Sequence, residues 1–346
     1  MAEGPDEQAS GNFINTQVPA PPIIIDSEHN DNDSALGSSI SGSYSTSLAS
    51  SIVDYRYENG RRYHAYREGE YLLPNDDPEQ NRLNLVHHIS RLILGGALYR
   101  APIADGRPPP GRILDVGTGT GIWVMEMADE FPNAIVIGTD LSPIQPSWAP
   151  PNCKFYIDDA EAEWDYSTDE HFDFIHGRAL GGGIADWPRF YNQVYQNLRP
   201  GGWLEMLEPE MRVRSDDDTV QEAPWLLRLA DEVSEASRKV GKSVNVAHKH
   251  KKWLEDTGFL DVREEVYKTP LGVWPKDPKL KEIGRCQRAQ ALDAVESYTL
   301  AMFTRVLGHS LQETQEFMER VKCEIVDPKL HLYTAQYIIY GRKPEH

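Results

Sequence analysis

The stretch ILDVGTGTG, residues 113 to 121, constrains this chain more than any other. An apolar run ends in an acid and turns on three glycines that alternate with threonines. Such a turn brings bare backbone against a ligand at the mouth of a helix. Dinucleotide, ATP-phosphate and S-adenosylmethionine (SAM) sites all use glycine turns, so the surrounding residues must discriminate among them.

Gly117, Gly119 and Gly121 give G-x-G-x-G, and Ile122 stands where the dinucleotide fingerprint has its third glycine. No Gly-Lys-Ser/Thr follows, which excludes a P-loop. Asp115, two residues before the first glycine, would repel a pyrophosphate but suits an ammonium. Asp140, 19 residues after Gly121, ends the run AIVIGTD and offers acceptors to both ribose hydroxyls. Asp159, in IDDAE, offers one to an adenine amino group. Together these acids favour SAM, which carries an ammonium, a ribose and an adenine but no phosphate.

The rest of the pattern predicts where those acids sit. Strand-like runs at 113–116, AIVIGTD, CKFYIDDAE, FDFIHGR and WLEMLE alternate with helical spacing over 121–131 and 187–198. Alternation of this kind predicts a parallel sheet with helices on both faces. A helix precedes it at 77–94, where Leu83, Val86, Ile89, Leu92 and Ile93 fall three to four apart. Beyond 220 come helices at 224–240 and 247–257, the strand VREEVYKTP, a largely helical insertion at about 271–328, and the alternating strand HLYTAQYIIYGRKP.

Charge adds exclusions. The net charge of −19 argues against attraction to nucleic-acid phosphates, although eight acids precede the first lysine or arginine, Arg56, and leave −11 for the remainder. HKHKK at 248–252 therefore reads as a solvated helix face. No apolar run approaches the roughly 20 residues that span a membrane. The start, MAEGPDEQAS, matches neither a secretory signal nor a transit peptide. Three distant cysteines fit a reducing compartment, so cytoplasm or nucleus is expected. Residues 1–54, acidic and serine-rich, are expected to be a disordered tail, with Ile23-Ile24-Ile25 either a docking element or an incidental triplet.

The motif series LDVGTGTG, the acid after the second strand, the Asp159-Ala160 pair and LRPGG resembles class I SAM-dependent methyltransferases. YENGRRYHAYREGEYLLPND, GTGTGIW, IGTDLSPIQPSW, IADW and PLGVWPKDP narrow the resemblance to the fungal LaeA-like methyltransferases, over about 55–346. It implies an α/β, Rossmann-like seven-stranded class I methyltransferase sheet with a reversed final hairpin. A helical N-terminal lid at 55–110, a nucleotide-binding core at 111–210 and the helical insertion before the last strand complete the expectation. The implied cofactor is SAM, held by Asp115, Gly117, Gly119, Gly121, Asp140 and Asp159 with Leu141 and Ala160 beside them. The aromatic segment Tyr63, His64, Tyr66 and Tyr71 would close over the sulfonium, which is favoured beside aromatic faces.

Methyl transfer from a sulfonium is an in-line displacement that chiefly needs alignment. His176, at the end of FDFIHGR, is the candidate base, with strand capping as its plainer role. Arg178 either faces the acceptor or pairs with Asp186, and Glu208 is either an acid–base group or a solvated loop acid. No metal-ligand cluster is evident. The acceptor implied is a small molecule or a protein, in secondary metabolism or its regulation, with velvet-type regulatory proteins as partners. A regulatory subunit that binds SAM without transferring its methyl is the alternative. Gly181-Gly182-Gly183 departs from the expected bulkier residues and loosens the segment beside the acceptor.

Overall fold

Strand β3 (Arg112–Val116) is an interior strand of the sheet, and its apolar residues Ile113, Leu114 and Val116 are at most 1% exposed. The computed structural model describes residues 20–26, 55–64 and 71–346. Around β3 lie β4 (Ile135–Asp140), β5 (Cys153–Ile157), β6 (Phe172–Arg178) and β7 (Leu198–Pro209), all parallel. β8 (Leu260–Pro270) and β9 (Tyr333–Arg342) complete the sheet in the order β5-β4-β3-β6-β7-β9-β8, with β9 antiparallel to both neighbours. This is the seven-stranded sheet with a reversed final hairpin that the motifs imply. The parallel strands all end at one face, so Asp115, Asp140 and the segment after β5 converge there.

Helices α2 (Ile122–Glu130) and α3 (Trp187–Asn197) are the crossovers. The lid consists of a hairpin, β1 (Arg56–Glu58) and β2 (Arg61–Tyr63), followed by α1 (Asp77–Ile93). Asp76 starts α1 by accepting from the Glu79 amide at 3.1 Å, and the same carboxylate binds Arg61 at 2.6 Å. One side chain thus caps the helix and ties the hairpin to it. Beyond β7 come α4 (Pro224–Lys239) and α5 (His250–Thr257). The insertion is α6 (Pro278–Ala301), a π-helical turn at Met302–Leu307 and α7 (Leu311–Val326). Helix α6 packs along α1, with Ile89 and Ile93 against Ile283 and Cys286, and so roofs the strand ends.

Part of the segment expected to lack structure is docked. Residues 20–26 run antiparallel to 274–276, the Asp26 amide donating to Trp274 O and the Lys276 amide to Ile24 O, each at 2.7 Å. The Ile23 amide donates to the Asp216 carboxylate at 3.0 Å, and Lys281 pairs with Asp26. Ile24 stays 71% exposed, while Ala20 and Ile23 pack partly buried against the core, so backbone bonds and a small apolar contact together anchor the strap. The remainder of 1–54 lies outside the described residues. Deleting residues 1–26 is expected to lower Tm by about 3–8 °C relative to deleting 1–19, since several hydrogen bonds and one ion pair are lost. Equal melting of the two truncations would show that the strap contributes nothing.

Candidate functional site

The glycine turn is built by three left-handed residues, Gly117 (φ 66°), Gly119 (φ 57°) and Gly121 (φ 76°), which side chains other than glycine rarely tolerate. The Thr118 amide ties the turn to β4 by donating to Thr139 O at 2.9 Å. Helix α2 begins directly after it with no side-chain cap. The Thr118 hydroxyl is buried and has no partner among the described residues. A ligand-facing turn is expected to leave polar atoms open in this way.

Asp140 stands at the end of β4, with its two oxygens accepting from the Gly119 amide at 2.7 Å and the Ser142 amide at 2.8 Å. Burial raises its pKa, while these two donors pull it down. Each oxygen retains a lone pair for a further donor. Asp159 is 8% exposed and accepts from the Glu161 amide at 2.8 Å. Leu141 and Ala160 flank these acids and are partly buried. The predicted acids therefore occur together at the strand ends.

The candidate base does not face this space. His176 is 1% exposed, its ring stacked on Trp123 at 3.9 Å, and its Nδ1 lies 2.7 Å from Asp115 Oδ1. A carboxylate only accepts, so Nδ1 carries the proton. Burial lowers the His176 pKa against the opposing pull of Asp115, and the neutral ring leaves the charge of Asp115 uncancelled. The geometry suits a positioning role beneath Asp115 rather than proton removal from an acceptor.

Arg178, two residues on, does not pair with Asp186, whose carboxylate caps α3. Its Nη1 donates to His87 Nδ1 at 3.1 Å, and His87 Nε2 donates to Glu126 at 3.1 Å. Glu126 also pairs with Arg91. His87 escaped the sequence reading because only the apolar face of α1 was considered there. The polar series Glu79, Arg82, His87 and Ser90 on the same helix is equally buried.

The lid aromatics separate. Tyr63 is 3% exposed and lies under the Arg305 guanidinium at 4.4 Å, so its ring packs inside the lid. His64 and Tyr71 come nearer the acids, because both interact electrostatically with Asp140. His64 Nε2 lies 3.1 Å from Tyr71 O. Tyr66 falls outside the described residues.

Glu208 is no loop acid. It is 2% exposed and accepts from the Leu180 and Gly181 amides, both at 3.0 Å, and burial pushes its pKa up to about 8. The glycine triplet is thus held rather than loose. A Cβ on Gly181 would lie 2.7 Å from Glu208 Oε1 and 3.1 Å from Val244 O, which accounts for glycine at that position. His250, inside the expected solvated face, is fully buried against Trp187 and Tyr191, whereas Lys249, Lys251 and Lys252 are exposed.

Between this loop and the roof lies a narrow chamber, with Tyr71, Leu73, Gly182, Val244, Tyr298 and Met302 among its walls. Ser237 Oγ also lines it, buried and without a partner among the described residues. None of its described lining residues carries a charge. Among the described residues no group of three His, Cys, Asp or Glu side chains is placed to hold a metal. No helix among them is long and apolar enough to cross a membrane.

A family model described as a methyltransferase domain matches residues 85–264. Methyltransferase pytC of Aspergillus terreus is 42% identical over 302 residues, covering 86% of this chain and 91% of that protein. The secondary metabolism regulator LAE1 of Cochliobolus heterostrophus is 36% identical, covering 83% and 94%. The protein-methionine methyltransferase laeA of Emericella nidulans is 35% identical, covering 84% and 77%.

Proposed function

The chain belongs to the SAM-dependent methyltransferase family that includes LaeA-type regulators and pytC, and we propose that it methylates a neutral, largely apolar acceptor whose reacting end enters the narrow chamber beside the glycine triplet. SAM is the methyl donor, supplying an electrophilic methyl on a sulfonium. In this reading Asp140 holds the ribose, Asp159 with Ala160 the adenine edge, Asp115 the ammonium, and the amides of the glycine turn approach the cofactor's amino-acid end. Leu141 packs beside the ribose. Tyr71 and His64, rather than Tyr63, form the aromatic cover.

The observation that carries the acceptor assignment is the uncharged lining of the chamber. An ionised acceptor would lose its hydration there without a partner of opposite sign. The Ser237 hydroxyl offers one directional hydrogen bond, and the apolar walls exclude water. Among the described residues no unengaged base lines the space, which suits an acceptor atom that loses no proton on methylation, such as a thioether. The name of the Emericella nidulans relative supports that choice, and the names of the relatives together support a place in fungal secondary metabolism or its regulation.

Transfer from labelled SAM into fungal extract, separated into small-molecule and protein fractions, tests the reading. Label is expected on a small molecule or a protein side chain that bears no charge before transfer and becomes a sulfonium after it. Label in a carboxylate ester or a methylated amine would overturn the acceptor class. Normal cofactor binding with no label in either fraction would favour a SAM-binding regulatory subunit, to which the regulator name of LAE1 also points.

A further inference from the structure

The guanidinium of Arg178 is the one feature of the strand ends that the cofactor acids do not explain. It sits partly buried at the end of β6, and Gly177 before it pairs with Val116 of β3, immediately ahead of the glycine turn. No carboxylate lies within ion-pair distance of it among the described residues. Its hydrogen-bond partner among the described residues is the neutral ring of His87. Asp115 and Glu126 act on it only through space. A desolvated guanidinium with spare donors recognises a planar oxyanion, usually through two parallel bonds.

His87 is built to aim it. Burial lowers the His87 pKa to about 4, so the ring is uncharged at neutral pH. Glu126 accepts from Nε2, which leaves the Nδ1 lone pair facing Arg178. Arg91, from one turn further along α1, holds Glu126 in place. The series crosses from β6 to α1 to α2 and fixes the guanidinium beside Asp115 without neutralising it.

We infer that Arg178, aimed by His87, forms an anion subsite for the α-carboxylate of the cofactor's methionine moiety, opposite Asp115, which takes its ammonium. A carboxylate and a guanidinium on adjacent strands, with no ion-pair contact between them, match the two ends of a zwitterion. The inference deepens the proposed cofactor site and depends on it. It also removes Arg178 from the acceptor side, one of the two places the sequence left open for it.

Ligand truncation tests this without requiring the acceptor. S-adenosylhomocysteine carries the carboxylate and ammonium, whereas 5′-methylthioadenosine retains the adenine and ribose but neither charge. In calorimetry, Arg178→Met is expected to weaken S-adenosylhomocysteine about 10- to 100-fold and 5′-methylthioadenosine less than threefold. Arg178→Lys is expected to fall between wild type and Arg178→Met for the first ligand only. Equal losses for both ligands would reduce Arg178 to a structural role, and unchanged S-adenosylhomocysteine affinity would also overturn the subsite. Failure of the wild-type protein to bind either ligand would instead remove the cofactor reading beneath it.

Discussion

Replacing Asp140 with alanine is expected to weaken SAM and S-adenosylhomocysteine binding at least tenfold by calorimetry, with Asp140→Asn falling between. Two effects act together. The carboxylate accepts from the Gly119 amide at 2.7 Å, and it also accepts from Ser142 at 2.8 Å. Without it the glycine turn loses one of its ties to the end of β4, the backbone bond from Thr118 to Thr139 remaining. Its second lone pairs are also the acceptors assigned to the ribose hydroxyls, and a hydrogen bond to a charged group is worth about 1.5–3 kcal/mol. One such bond already corresponds to roughly a tenfold change or more in affinity. The asparagine keeps one acceptor oxygen and places an amide donor where the other stood. Unchanged affinity in the alanine variant would sink the assignment of this acid to the cofactor.

Asp140 was legible in the sequence for a local reason. A strand, a glycine turn and a helix follow one another within a few residues, so the periodicity of the chain fixes where each acid sits. The strand ends, the crossover helices and the final hairpin come from the same kind of information. His176, Glu208 and His250 did not yield to it. Their roles depend on neighbours distant in sequence, such as Trp123 over the His176 ring and the Leu180 and Gly181 amides on Glu208. A charged or titratable residue at a strand end looks the same in sequence whether it faces a ligand or the core. The strap at 20–26 was obscured differently, because backbone bonds to 274–276 leave no side-chain signature. The glycine triplet read as looseness until its partner carboxylate was known.

That partner yields the second large effect. Glu208→Ala is expected to lower Tm by about 3–8 °C at pH 7 and to cut methyl transfer at least tenfold, with S-adenosylhomocysteine affinity changed less than threefold. The variant leaves the Leu180 and Gly181 amides buried without an acceptor, at about 1–3 kcal/mol each. Gly181 and Gly182 line the proposed acceptor chamber, whereas the cofactor acids stand on other strands, so transfer suffers more than cofactor binding. β7 carries a second glutamate of the same design, Glu205, which accepts from the Arg100 and Ala101 amides at 2.7 and 2.6 Å. Burial raises Glu205 to about 7 and Glu208 to about 8, from 4.5. The folded protein therefore keeps protons that the unfolded chain has released, and stability falls as pH rises from 4.5, levelling off above about 8. Between pH 7 and 8 most of that fall belongs to Glu208, with a slope approaching about 1.4 kcal/mol per pH unit. Wild-type Tm should decline over that interval more steeply than Tm of the alanine variant. Parallel declines would mean that Glu208 is ionised in the folded protein throughout. Its hold on the glycine loop would then be that of a fixed charge on two amides, insensitive to pH in this range.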